Sequence, residues 1–184
     1  MKTNFIITNV KSSVKLKPAV NLAFVTEKCA QVGAYCKLYG NLVSIKHKNI
    51  SFVLFKSCNN LKLNKGQHLN ITSCRTVESV IDAVEIFLQL LDNTTRVTNF
   101  QIDNYSCTSR IGQKFDLEKI YLLNFNHRLV YNPENFPGLF WWCDKKKSLC
   151  AVIYHTGKVN IVGSNNLHEI SEFLQKLKYI TNNG

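Results

Sequence analysis

The chain has 184 residues, 45% of them hydrophobic, and a formal net charge of +11 from 23 Lys and Arg against 12 Asp and Glu. That is enough apolar content for a core in one domain or two small ones, and no apolar run approaches membrane-spanning length, so a membrane-embedded protein is excluded from the expectations. Seven cysteines (29, 36, 58, 74, 107, 143 and 150) form no C-x-x-C pair and no zinc spacing with His, so they read as reduced thiols of an intracellular protein.

A basic balance of this size points to an acidic partner, nucleic acid or an anionic surface, with an unengaged basic surface as the plain alternative. The distribution is uneven. Residues 1–75 hold twelve Lys or Arg and one acid, Glu27, whereas the stretch after them carries Glu78, Asp82, Glu85 and Asp92 and no base. Such polarity would orient the molecule on a polyanion. Phe5–Val10 is too short and too polar for a secretory signal. The abundance of Asn and Lys fits an A·T-rich genome.

In chain order, Asn4–Val10 reads as a strand, and Lys17–Cys29 as a helix with Pro18 in its first turn. After Val32-Gly33, Leu42–Ile45 and Ile50–Phe55 read as strands turned at Lys46–Asn49. A polar basic loop covers 56–67, and Leu69–Thr72 is another strand. Val77, Val80, Ile81, Val84, Leu88 and Leu91 mark one face of an amphipathic helix. The order then begins again: a strand at Phe100–Ser106, a short helix at Asp116–Leu123 with Asp116 as N-cap, and a meander over Leu139–Val162. A closing helix at Leu167–Leu177 follows, with Asn166 and Glu169 as its capping pair.

Each half therefore reads strand, helix, strands, long helix, divided at Asp92–Thr95. Asn4 registers with Asn104, Leu38 with Phe136, Phe55 with Tyr154, and Leu69-Asn-Ile-Thr72 with Val159-Asn-Ile-Val162. The offsets are 100, 98, 99 and 90, the drop reflecting the loop at 56–67 that the second half replaces with a tight His155–Lys158 turn. Two tandem modules, 1–92 and 96–184, are expected, in an α+β fold whose antiparallel sheet has two long helices on one side.

The stretch Tyr131-Asn-Pro-Glu-Asn-Phe-Pro-Gly-Leu139, followed by Val152-Ile-Tyr-His-Thr-Gly-Lys-Val159 and Val162-Gly163, resembles the second repeat of the TATA-box-binding protein (TBP) family. The resemblance implies a saddle whose curved sheet lies in the minor groove of A·T-rich, TATA-like promoter DNA and bends it to nucleate pre-initiation complex assembly. The resemblance likewise implies kinking of the duplex by inserted side chains, as in that family.

Residue by residue, the resemblance implies that Asn4 and Asn104 contact base acceptors, together with Thr72, its counterpart Val162, and the symmetric pair Asn70 and Asn160. Ile6 and Leu69 are expected to line the groove. Phe136 and Tyr154 in the second half, and Leu38 and Phe55 in the first, align with the intercalating wedges, although Tyr39 beside Leu38 leaves that register open by one. Lys158 and Arg75 match phosphate-contacting positions, whereas Trp142 stands where the family has an Arg. Lys46, Lys48, Lys145, Lys146 and Lys147 sit in turns suited to backbone contacts. The segment with Tyr131, Asn132, Glu134 and Asn135 is expected to dock a transcription factor IIB-like protein, with RNA polymerase machinery as the wider partner. Glu134 is its one remaining acid, so a diverged partner fits best.

No cofactor, metal or membrane partner is expected, and the chain should act as a monomer on DNA. Its location would be the nucleus, or a cytoplasmic viral factory if a large DNA virus encodes it. The five His residues (47, 68, 127, 155 and 168) suggest no triad and no Gly-rich phosphate loop appears, so an enzyme is not expected. The alternative is an interaction protein that keeps the fold, has lost sequence-specific DNA binding, and engages transcription factors or single-stranded nucleic acid.

Overall fold

Period-two alternation builds two long strands. In β1 (Ile6–Lys17), Val10, Ser12, Val14 and Leu16 point inward while Ser13, Lys15 and Lys17 point the other way. The equally alternating β6 (Arg96–Arg110) buries Tyr105, Cys107 and Ser109. Both run further than the expected Asn4–Val10 and Phe100–Ser106, because inward Ser and outward Lys dilute the apolar signal without breaking the pleat. The helix expected at Lys17–Cys29 starts later, as α1 (Leu22–Gln31). Its first turn is capped by Asn21, whose side chain accepts from Ala23 N at 2.8 Å, and Pro18 lies ahead of it.

The structure, a computed structural model, describes residues 4–55, 67–91, 94–112, 114–124, 128–143 and 149–183. The chain divides into two compact units, Asn9–Asp103 and a second composed of Asn104–Gly184 with Met1–Thr8. β1 and β6 each contribute to both.

In the first unit the strand order is β2-β3-β4-β5-β1, where β2 is Tyr35–Tyr39, β3 Leu42–His47, β4 Ile50–Phe55 and β5 Gln67–Cys74. All these pairs are antiparallel. Helix α1 and the longer α2 (Val77–Gln89) belong to this unit. A reciprocal capping box starts α2: Ser79 N donates to Thr76 Oγ1 at 3.0 Å and Thr76 N to Ser79 Oγ at 3.1 Å. The helix buries Val80, Ala83, Val84 and Phe87, and Phe87 meets Phe52 of β4 with ring centroids 5.5 Å apart. Ile81, expected in that stripe, is exposed. Phe87 takes the central place because its larger ring gains more from burial, about 1.5–3 kcal/mol for such a side chain.

In the second unit the order is β6-β10-β9-β8-β7, with β7 Arg128–Val130, β8 Gly138–Trp142, β9 Cys150–Tyr154 and β10 Lys158–Ser164. These pairs too are antiparallel. Helix α3 (Leu117–Leu123) is capped by Asp116, which accepts from Lys119 N at 3.0 Å. Helix α4 (Leu167–Asn183) packs Ile170, Phe173, Leu174 and Leu177 into a core shared with Leu139, Trp141, Ile153, Val159 and Ile161. At its start, Asn166 Oδ1 accepts from His168 N at 2.9 Å, while Glu169 accepts from Ser164 Oγ. Asn166 thus caps α4 alone, and Glu169 ties the helix to β10.

Candidate nucleic-acid interface

In each unit the strands present one face to the core and one facing away from the helices. Residues directly opposite in an antiparallel pair share a face, so the ladders assign every position. In the first unit the chain of pairs Leu38–Val43–Leu54–Leu69 lies on the core face, since Val43, Leu54 and Leu69 are 0% exposed. The next rung, Tyr39–Leu42–Phe55, lies on the open face.

Two expectations change as a result. Leu69 belongs to the core and cannot line a groove on the open side. Leu38, although 54% exposed at the sheet edge, is on the core face, so the aromatic that shares a face with Phe55 is Tyr39. The alternation of the strand decides the one-residue ambiguity. Tyr39 also has the Lys37 ammonium 5.0 Å from its ring centroid.

The asparagines change too. Asn4 is exposed ahead of β1, where its carbonyl accepts from Ser109 Oγ at 2.7 Å. Asn104 Oδ1, on β6, accepts from Gly163 N at 2.8 Å, and the matching bond in the first unit is made by Asn9, whose Oδ1 accepts from Ser73 N at 2.7 Å. Ser73 and Gly163 both have positive φ, 71° and 106°, just past the open-face residues Thr72 and Val162. The repeat of Asn104 is therefore Asn9. The ladders agree: Lys15 pairs with His68 as Arg110 pairs with Lys158. Since a backbone N–H must face an oxygen, each amide presents its NH2 on the side away from that bond. The signal was available in the parallel runs Asn9–Lys15 and Asn104–Arg110.

The equivalence of β5 and β10 is direct. Asn70 pairs with Val53 and Asn160 with Val152, while Thr72 pairs with Ser51 and Val162 with Cys150. All four are on the open face and at least partly accessible. Thr108 Oγ1 lies 3.1 Å from Asn160 Oδ1 and donates to it. Ile6 is 70% exposed near the start of β1.

The second unit gathers aromatics. Phe136 sits above β8, its ring centroid 5.1 Å from Phe140 and 6.2 Å from Tyr154. Phe140 and Trp142 stack at 5.8 Å with planes 15° apart. Gly138 makes this possible, because a Cβ there would meet Phe136 Cε1 and Val152 Cγ1, each at 2.7 Å. The equivalent residue in the first unit is Leu42, opposite Phe55 as Gly138 is opposite Tyr154. A ring cannot settle over Leu42 in the same way, so the two aromatic sites differ in build. Sequence reasoning missed Phe140, although its period-two place between Gly138 and Trp142 was readable.

The turn holding Phe136 is local: Asn135 N and Phe136 N both donate to the Asn132 carbonyl, at 3.2 and 3.0 Å. Asn132, Pro133, Glu134 and Asn135 are exposed, and Tyr131 lies against Tyr121 of α3 with centroids 6.4 Å apart. Among the expected cations, Lys158 is exposed at the start of β10 opposite Arg110, and Arg75 is exposed between β5 and α2. Lys46 lies on the open face of β3 and Lys48 in the hairpin after it. Lys145, Lys146 and Lys147 lie outside the described residues. Burial pushes the Cys29 thiol up to about 12 and Cys107 up to about 11, which suits inert packing rather than nucleophilic chemistry.

An antiparallel α+β architecture with a helix-free sheet face bearing paired asparagines and ring clusters defines a TBP-like fold. The solved structure of Methanococcus jannaschii TBP matches it with a TM-score of 0.80, covering 98% of this chain and 99% of that one at 21% identity. The family model for transcription factor TFIID (or TATA-binding protein, TBP) matches residues 99–182. TATA-box-binding proteins are similar along nearly the whole chain: that of Methanococcus aeolicus is 24% identical, covering 97% of this chain and 94% of its own. That of Thermococcus kodakarensis is 24% identical over 93% and 86%. The chain thus has a TBP-like fold, is similar to TATA-box-binding proteins along nearly its whole length, and matches the family model over its second half.

Proposed function

We propose that the open faces bind A·T-rich, TATA-like promoter DNA through its minor groove and bend it, and that the bent complex nucleates pre-initiation complex assembly. The observation that carries this reading is the repeated amide device. Asn9 and Asn104 each lock their oxygen on a backbone N–H and turn NH2 donors outward. A·T pairs offer the minor groove only the acceptors N3 and O2, so a reader of that groove needs donors and apolar surface.

The two repeats, 1–92 and 96–184, would each supply one ring pair. Phe136 with Tyr154, and Phe55 with Tyr39, act as wedges, and unstacking a base step costs a few kcal/mol that the wrapped surface offsets. Asn70, Asn160, Thr72 and Val162 touch the groove floor between them, and Lys158, Arg75, Lys46 and Lys48 meet phosphates. Because Gly138 seats Phe136 and Leu42 cannot seat an equivalent ring, the second-repeat kink is the sharper. The exposed turn at Asn132–Asn135, with Glu134 its single acid, docks a diverged transcription factor IIB-like protein.

The test is a TATA-like duplex dye-labelled at both ends, titrated beside a scrambled duplex at two salt concentrations. End-to-end shortening confined to the A·T-rich site is the expected result. Binding without shortening, equal on both duplexes and lost at higher salt, overturns the reading.

A further inference from the structure

We infer that the open face of the second unit is also a stacking platform for unpaired nucleobases, so that this chain binds single-stranded nucleic acid in addition to any duplex. Phe136, Phe140 and Trp142 form a continuous strip along β8, with centroid spacings of 5.1 and 5.8 Å, and Tyr154 of β9 abuts its first ring. A wedge for a duplex step needs one or two rings at one point. A strip of three that runs along a strand offers successive π-faces, which suits successive bases of a flexible strand. Four-stranded sheets that carry aromatics on an open face bind unpaired bases by this means.

Charge and shape complete the site. Arg110 and Lys158 pair across β6 and β10 on the same face, and Arg128 of β7 stands opposite Trp142. The strip is thus flanked by cations on both sides, as a polyanionic backbone requires. Val152, Asn160 and Thr108 continue the rung of Phe140 across β9, β10 and β6, and each is smaller than the rings of the strip. The first unit has no such strip: Ser44 and Lys46 occupy the places of Phe140 and Trp142. The platform is therefore one-sided, which a device serving only a two-fold-like duplex contact does not require.

The inference stands apart from the duplex reading, and the experiment separates them. Full-length protein is titrated into fluorescein-labelled oligothymidylate and oligouridylate of about twelve nucleotides and into a TATA-like duplex, with anisotropy as readout. Wild type should bind the single strands. Phe140→Leu and Trp142→Leu, which keep apolar bulk but lose the π-face, should each weaken single-strand binding by about five- to 150-fold. Phe140→Tyr should restore it, and Ser44→Ala in the first unit should leave it unchanged. Should Phe140→Leu melt before assay temperature, the partly exposed Trp142 position decides alone. Ring-dependent binding of either oligonucleotide supports the platform, and preference between them identifies DNA or RNA as its source. Binding to duplex only, or single-strand binding that is lost with salt yet indifferent to both rings, overturns it while leaving the duplex reading intact.

Discussion

Gly138→Ala tests whether the Phe136 ring is seated as described. The added Cβ would stand 2.7 Å from Phe136 Cε1 and 2.7 Å from Val152 Cγ1, whereas ordinary contact begins at 3.4 Å, so the ring and the methyl must each retreat by about 0.7 Å. Gly138 is in a regular strand, so no backbone strain offsets or adds to this. Forced overpacking of this kind costs about 1–3 kcal/mol, and about 1 kcal/mol moves the melting temperature of a chain this size by roughly 2–4 °C. The melting temperature should therefore fall by several degrees, and the ring, lifted off β8, should change the bend of a TATA-like duplex. Because the two clashes are equal, about half the cost should vanish when Gly138→Ala is made in a Phe136→Ala background. Strict additivity of the two substitutions, with the same melting loss in both backgrounds, would show that the ring does not lie over Gly138.

Asn9→Ala and Asn104→Ala should each reduce discrimination of A·T-rich over G·C-rich duplex, whereas Asn4→Ala should not; a duplex competition assay in which Asn4 matters and Asn9 does not refutes the assignment. Lys158→Ala should flatten the salt dependence of duplex binding by about 0.9 in log–log slope, and an unchanged slope removes it from the phosphate contacts. Ser12 is fully buried and its hydroxyl has no partner among the described residues, so Ser12→Ala should raise the melting temperature by a few degrees; a fall refutes the orphaned hydroxyl. Cys29 and Cys107 should resist alkylation at pH 8 in the native protein, since thiols at about 12 and about 11 hold only about 10⁻⁴ and 10⁻³ of the thiolate, and rapid native-state labelling contradicts their burial. The same raised values mean that the unfolded chain loses these protons first, so stability should decline as pH rises above about 9, read by urea melts at pH 8 and pH 10.

Much was legible in the residues alone. The Pro-bracketed Phe136 and the Gly157 turn carry the resemblance to TATA-box-binding proteins, and the fold agrees with it. Helix periodicity located α2 and α4, because a stripe recurring every three to four residues must face a core. The failures have a common cause. A linear offset pairs Asn4 with Asn104, but the bulge between Val10 and Ser12 and the uneven loops make such offsets drift. Without a register the sequence does not separate Leu38 from Tyr39, nor decide which face Leu69 takes.

What the amino-acid sequence determined by itself is where most of the strands and the two long helices lie, that the pattern of elements occurs twice, and that the chain is basic, whereas the short strands β2 and β7 carry no clear periodic signal. Those follow from periodicity, turn chemistry and composition, which are local. Which side of each strand faces away from the helices was decided only by the tertiary structure. A side-chain period of two makes a one-residue change of pairing exchange the faces, and the pairing is set by partners tens of residues away. The seat of Phe136 over Gly138, the amide bonds from Asn9 to Ser73 and from Asn104 to Gly163, and the aromatic strip on β8 all depend on that choice.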